Sequence, residues 1–302
     1  MPESDTMHPM NDAMESDVSM NNNDCVDHQL IDSPSYEIAF KDNEFIHSDP
    51  ARSIRIEMEV IKPEWFMRQY GIRSTIIVFG SARFVDAETA KKRLENAQKL
   101  LDADPKNNDA QFALKKAKRD VEMSVYYEQA RVFGKLVSEE NQAKPDGVGD
   151  GIFDFVICTG GGPGIMEAGN RGASEAGALS IGLNIKLPYE QHPNPYISPQ
   201  LCFQFHYFAI RKLHFLLRAK ALVVFPGGFG TFDELFEALT LRQTEKMQKL
   251  PVIIFGKEFW EKTINFEHLA ETGVINREDL ELFKYVDTPQ EAWDMIKAFH
   301  RG

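Results

Sequence analysis

The residues best suited to chemistry lie in three glycine-rich turns. These are Gly80-Ser81-Ala82, Gly160-Gly161-Gly162-Pro163-Gly164 and Gly227-Gly228-Phe229-Gly230-Thr231. Each follows a short apolar run. Glycine in such a turn lets backbone N–H groups approach an anion, and a helix that follows adds the positive end of its dipole. A single turn of this kind needs no explanation beyond tight chain reversal. Three on one edge of a sheet favour a ligand that carries phosphate. Neither long cluster fits G-x-G-x-x-G. Counted from Gly160 and Gly162 the third glycine position is Ile165, and counted from Gly228 and Gly230 it is Asp233. The pairs Gly134-Lys135 and Gly256-Lys257 are not followed by Ser or Thr, so there is no Walker A motif. A dinucleotide redox enzyme and a P-loop NTPase are both disfavoured, which leaves a mononucleotide or a sugar phosphate.

The run Pro226 to Glu234 admits two readings. Thr231-x-x-Glu234 has the spacing of a capping box, with Thr231 as N-cap and Glu234 three residues on, which would account for both without chemistry. The functional reading sets a carboxylate one turn into a helix whose start cradles phosphate, within reach of the attached sugar. Spacing alone does not decide between them. In the helical stretch 210–220, Leu213, Leu216 and Leu217 form an apolar stripe, while Arg211, His214 and Arg218 fall on another face. Arg211 opens this helix just after an apolar run, and a cation there opposes the helix dipole. A surface salt bridge is the ordinary account, and use at the ligand edge is the other.

The elements that must position these residues alternate strand with helix. The sequence predicts a helix over 51–73 and a β-branched strand over 74–80, then a Lys- and Glu-rich helical hairpin broken at DADPKNND. Strands follow at 152–162, 179–188, 202–208, 221–225 and 251–256, with helices between them and a last helix after FKYVD. Strands that read as unbroken apolar runs between helices indicate an α/β fold: a doubly wound, Rossmann-like, mostly parallel sheet. The hairpin, about residues 86–125, is an elaboration of the first crossover. One domain is expected over 46–302, preceded by a disordered acidic tail over 1–45.

The chain has 302 residues, 43% of them hydrophobic, which is ample for a packed core. Its net charge of −12 is concentrated at one end: residues 1–50 hold twelve acidic residues and one lysine, and the other 252 residues are nearly neutral. Without a basic surface, nucleic acid is not an expected partner. No apolar run is long enough to span a membrane. Cys25, Cys158 and Cys202 match no disulfide framework and no zinc spacing, and the eight histidines show no ligand spacing. With no basic-then-apolar leader at the start, the expected location is the cytoplasm.

Taken together, the motifs resemble those of the LOG family, the cytokinin riboside 5′-monophosphate phosphoribohydrolases, once labelled lysine decarboxylases. PGGFGTFDE resembles the family's PGGxGTxxE signature, and VFGSAR, TGGGPGIMEAGNRGA, IGLNIKLPYEQ, FAIRK and EALTLRQ are the other matching blocks. The resemblance covers about residues 50–300, and the longer blocks look most like the bacterial branch that acts on AMP and related nucleotides. It implies hydrolysis of the N-glycosidic bond of a purine nucleoside 5′-monophosphate, without metal or other cofactor, by a homodimer with sites near the subunit interface. It implies a catalytic role for Arg211 and Glu234. It implies ligand contacts for Gly80, Ser81, Gly161, Gly162, Gly164, Glu190, Lys212, Gly227, Gly228, Gly230, Thr231 and Thr240. At Met166-Glu167 the compact pattern has Met-Gly, a departure that bears on the base pocket. The alternative is a non-catalytic nucleotide-binding sensor or carrier on the same scaffold. A pyridoxal-phosphate decarboxylase would need a Schiff-base lysine, and no lysine sits in a recognisable setting for one.

Overall fold

The computed structural model describes residues 28–141, 151–188 and 192–301. The chain divides into two compact units, Met1–Arg55 and Ile56–Gly302. Of the expected tail, residues 1–27 lie outside the described residues. Residues 28–45 hold α1 (His28–Ile31), a 3-10 turn (Pro34–Tyr36) and the start of α2 (Asn43–His47). Asp42 caps α2, its carboxylate accepting from the Phe45 N–H at 2.8 Å.

The second unit is built on seven strands: β1 (Thr75–Phe79), β2 (Val156–Thr159), β3 (Ser180–Ile185), β4 (Cys202–Phe205), β5 (Ala219–Val224), β6 (Val252–Phe255) and β7 (Phe283–Val286). They pair in the order β4-β3-β2-β1-β5-β6-β7. Every pairing is parallel. The strands β1, β2 and β6 are buried at every residue, whereas β4 and β7 at the two edges each have two buried and two more exposed positions. That difference explains the unbroken apolar runs in the sequence, because central strands of a covered parallel sheet have two buried faces.

Helices cover both faces. Along β1, Ile77 and Phe79 point to one face, with Phe215 of α7 (Phe208–Leu217), Leu235 and Ala238 of α8 (Phe229–Gln243), Trp260 of α9 (Lys257–Thr263) and Phe266 of α10 (Phe266–Glu271). Ile76 and Val78 point to the other, with Tyr127 and Phe133 of α5 (Asn108–Asn141), Ile165 and Ala168 of α6 (Ile165–Glu175) and Trp293 of α11 (Pro289–Arg301). Each fully buried side chain of this size stabilises the fold by about 1.5–3 kcal/mol. The expected hairpin is α4 (Ala87–Ala103) with α5, joined by a small core of Ala97, Leu114 and Ala117. The hairpin's second helix continues past the elaboration near 125, as the helical pattern in the sequence indicates. It runs on to Asn141, because from Tyr127 onward its apolar side covers the sheet.

Two expectations about single helices are corrected. In α7 the buried residues are His214 and Phe215, and Leu213 and Leu217 are exposed, so the leucine stripe is not the core face. Phe215 packs edge-on against Phe79 with ring centres 4.8 Å apart, and His214 Nε2 lies 3.0 Å from the Glu59 carbonyl. In α8 the helix starts at Phe229 with Gly228 as N-cap. Thr231 is therefore inside the helix and Glu234 in its second turn, so the capping-box reading fails.

Candidate active site

Order reversal in the sheet occurs at β1, whose neighbours β2 and β5 lead the chain away on opposite sides. Such a switch point opens a crevice at the carboxyl ends of the strands. The three glycine turns meet there and are tied to one another by backbone hydrogen bonds. Ser81 N–H donates to Pro226 O at 3.0 Å, Ile165 N–H donates to Ser81 O at 3.0 Å, and Phe225 N–H donates to Phe79 O at 2.8 Å. Gly80, Ser81, Gly161, Gly162, Gly164, Gly227 and Thr231 are thereby brought together, as the sequence suggested.

Glycine is required here for two physical reasons. Gly164 has φ +73°, and a Cβ on it would strike the Ser81 carbonyl oxygen, so the turns can close only without a side chain. A Cβ on Gly160 would lie 2.6 Å from Arg211 Nη2, so glycine makes room for the guanidinium. Gly228 and Gly230 differ: a Cβ on either meets nothing within 4 Å. No packing among the described residues calls for glycine at these two positions. They border open space at the start of α8, where the first backbone N–H groups have no partner inside the helix.

Arg211 sits one turn before Phe215 and shares its inward face. Its guanidinium carbon lies 4.9 Å from the Phe215 ring centre, and its Nε donates to Leu183 O at 2.6 Å. Burial lowers its pKa, and the nearby Glu234 carboxylate works the other way. Glu234 is itself only 11% exposed. Burial raises its pKa from 4.5 to about 7, against the pull of Lys212 and Arg211 and with the help of Glu237 and Asp233. Lys212 stands between α7 and α8, with Nζ 2.8 Å from Asp233, 2.8 Å from Glu237 and 3.9 Å from Glu234. Burial would discharge it, but hydrogen bonds to Asp233 and Glu237 prevail and raise its pKa. The arrangement can bind an anion and present one poised carboxyl beside it.

Two predicted residues remain. Glu190 lies outside the described residues. Thr240 is exposed and donates to Phe236 O at 2.7 Å. It is six residues beyond Glu234, a rise of about 9 Å along the helix. It lines an open cleft of about 470 Å³ with Lys212, Phe229, Phe232, Asp233, Phe236 and Glu237. So Thr240 and the glycine turns are not gathered at one point.

Several positioning residues escape the sequence reading. Thr159, Asn170 and Asn194 form a buried polar knot under the second glycine turn. Thr159 Oγ1 donates to Asn170 Oδ1 at 2.7 Å, and Asn194 Nδ2 donates to Gly161 O, Gly162 O and Asn170 Oδ1 at 3.0–3.2 Å. The available signal was an asparagine among Ala168, Gly169, Gly172 and Ala173 on the buried side of α6. Glu59, on α3 (Arg52–Gln69), accepts the N–H groups of His206 and Tyr207 at 2.7 and 3.1 Å and so caps α7. Glu64 on the same helix grips Arg218 at 2.6 Å.

Residues 166–296 match the model of a family described as "Possible lysine decarboxylase". A pyrimidine/purine nucleotide 5′-monophosphate nucleosidase of Escherichia coli K12 is 32% identical over 117 residues, which is 35% of this chain and 25% of the relative. Its counterpart in Escherichia coli O157:H7 matches equally. The match thus spans a quarter of the length of these curated relatives. Among solved structures, a molybdenum cofactor carrier protein from Chlamydomonas reinhardtii is 17% identical, with a TM-score of 0.42 over 76% of this chain and 100% of that one. A structural-genomics target is 18% identical, with a TM-score of 0.42 over 74% of this chain and 99% of that one. Among the described residues, no helix is long and apolar enough to cross a membrane.

Proposed function

We propose that the chain, whose residues 166–296 match the family model, is a LOG-family enzyme that hydrolyses the N-glycosidic bond of a purine nucleoside 5′-monophosphate. AMP or a cytokinin riboside 5′-monophosphate is the substrate on this reading. One observation carries it. A shielded carboxyl with a pKa of about 7, Glu234, lies on the helix that starts at the glycine-lined crevice, with the Lys212 ammonium of α7 3.9 Å away.

Cleavage passes through an oxocarbenium-like state with positive charge on the ribose. The bond from ribose C1′ to the base nitrogen breaks with its electrons going to the base, and a water oxygen bonds to C1′. One water proton stays on the new hydroxyl and the other passes by way of Glu234 to the departing base. The products are the free base and ribose 5-phosphate. Ionised Glu234 stabilises the ribosyl charge and accepts the proton, and a pKa near the working pH suits that exchange. The N–H groups around Gly80, Ser81, Gly161, Gly162, Gly164, Gly227, Gly228, Gly230 and Thr231 hold the 5′-phosphate. That remote binding orients the ribose for attack. Arg211 and Lys212 supply positive potential that keeps a fraction of Glu234 ionised despite its burial.

The family's description as possible lysine decarboxylases is less well supported here. A Schiff-base lysine works through its neutral amine. Lys212, the lysine beside the crevice, has its pKa raised by two carboxylates 2.8 Å away. A homodimer in the cytoplasm completes the proposal. Phe229 is 97% exposed, and Phe208, Leu213 and Leu217 are exposed too, apolar surface that a second copy would cover.

The test is incubation with a panel of nucleoside monophosphates, followed by chromatography for free base. Release of adenine from AMP by the parent and not by Glu234→Gln supports the proposal. AMP that binds and is recovered intact identifies a carrier or sensor instead.

A further inference from the structure

We infer that Glu237 is a positioning residue for Glu234: together with Asp233 it holds the Lys212 ammonium clear of the Glu234 oxygens and so leaves them free for a ligand. This rests on the proposed role of Glu234 in glycoside hydrolysis. Three carboxylates of α8 surround one ammonium of α7. Lys212 Nζ lies at hydrogen-bond distance, 2.8 Å, from both Asp233 Oδ2 and Glu237 Oε2, but 3.9 Å from Glu234 Oε2. An ammonium has three donors, and two are directed away from the buried carboxyl. The charged groups that face Glu234 are Arg211 and Lys212 from α7 and Asp233 and Glu237 from its own helix.

The two outer carboxylates are unequal anchors. Asp233 is 60% exposed, so water screens its hold on Lys212. Glu237 is 33% exposed and lies one helical turn from Asp233 on the same side, so it is the firmer of the two. Without the charge on Glu237, the ammonium is drawn to the least hydrated negative group within reach, Glu234. The 3.9 Å gap would close to an ordinary charge-assisted hydrogen bond of about 2.8 Å. A direct pair of that kind both favours the ionised carboxyl and occupies one of its oxygens. The cleft side of this arrangement, with Phe229, Phe236 and Thr240, leaves Glu237 open to solvent and to substitution without a core defect.

The experiment follows the Glu234 carboxyl by carbon-13 NMR titration of glutamate-labelled protein without nucleotide, its signal identified by its loss in Glu234→Gln. In Glu237→Gln the titration midpoint is expected to fall by about one pH unit. Glu237→Asp should restore most of that fall, and Asp233→Asn should give a smaller displacement than Glu237→Gln. With AMP at pH 8, Glu237→Gln should lose about tenfold in kcat with little change in KM, since a displacement near 1 Å is felt mainly in turnover. A Glu234 midpoint unchanged in Glu237→Gln overturns the inference. So does an equal fall in the aspartate variant. If Glu237→Gln does not fold, Asp233→Asn still decides, because an unchanged midpoint in that variant would also refute it. A parent enzyme that leaves AMP intact refutes the proposed function, whereas the titration continues to judge the clamp.

Discussion

Replacing Glu234 with glutamine should make the protein more stable while abolishing turnover. The sign follows from the direction of the pKa change. Burial lifts this carboxyl from 4.5 to about 7. The folded state therefore holds a proton that the unfolded chain releases between those two values, and stability declines as pH rises through that window. Each pKa unit corresponds to about 1.4 kcal/mol, so at pH 8 the ionised carboxyl costs the fold about 3 kcal/mol. The Lys212 and Arg211 charges are already included in that value, because they restrain the rise. Glutamine keeps the shape and carries no charge at any pH. Urea unfolding of parent and variant should coincide near pH 4 and diverge between about pH 4.5 and 7, with the variant ahead by up to about 3 kcal/mol at pH 8. In a domain of this size that is on the order of 5–10 °C in Tm. The parent's kcat/KM should rise with pH through an acid limb near 7, where Glu234 ionises. Equal stabilities at pH 4 and pH 8 would show that the carboxyl is not held in a desolvated setting, and the mechanism would lose its base.

Other substitutions separate folding from binding. Gly164→Ala should reduce stability by at least about 2 kcal/mol, seen as a lower Tm, because φ is +73° and the Ser81 carbonyl blocks a Cβ. Gly230→Ala should do the reverse: its Cβ enters open space within a helix, so the fold gains up to about 1 kcal/mol while KM for a nucleoside monophosphate rises. Arg211→Lys should lose the Nε bond to Leu183 O and the contact over Phe215, which costs about 2 kcal/mol and at least tenfold in kcat. Adenosine should be cleaved far more slowly than AMP in the same base-release assay, since the glycine turns would have no anion to hold.

The strands and the glycine turns could be read in the sequence because their causes are local. A buried parallel strand is a short apolar run, and a turn that admits no Cβ is written as glycine. Arg211 and Glu234 were reachable as well, through the block pattern around them. The start of α8 stayed open in the sequence because Thr231 and Glu234 imitate a cap, while the true N-cap, Gly228, has no side chain to announce itself. The inward face of α7 was misread because its buried surface includes a histidine and an arginine base, which hydropathy counts as polar. The residues that hold the turns in place were hidden by distance along the chain. Asn194 reaches Asn170 across 24 positions, and Glu59 reaches His206 across 147. Nothing in the local pattern around Glu59 or Asn194 points to such partners.

Glu59 has an effect beyond fixing α7 in place. Among the helices that begin at the carboxyl edge of the sheet, α6, α7 and α8 carry or follow the candidate site residues, and each offers a partial positive charge to a passing anion. At α7 the Glu59 carboxylate stands beside the entry, accepting the N–H groups of His206 and Tyr207 just ahead of the first helical residue. At α6 the opening turn carries Glu167. The opening turn of α8 has no acidic residue and has glycine on either side of Phe229. On the proposed function, the 5′-phosphate therefore meets the least like-charge opposition at the start of α8, and the carboxylates fixed near the other two starts shape its approach alongside the attraction of the glycine turns.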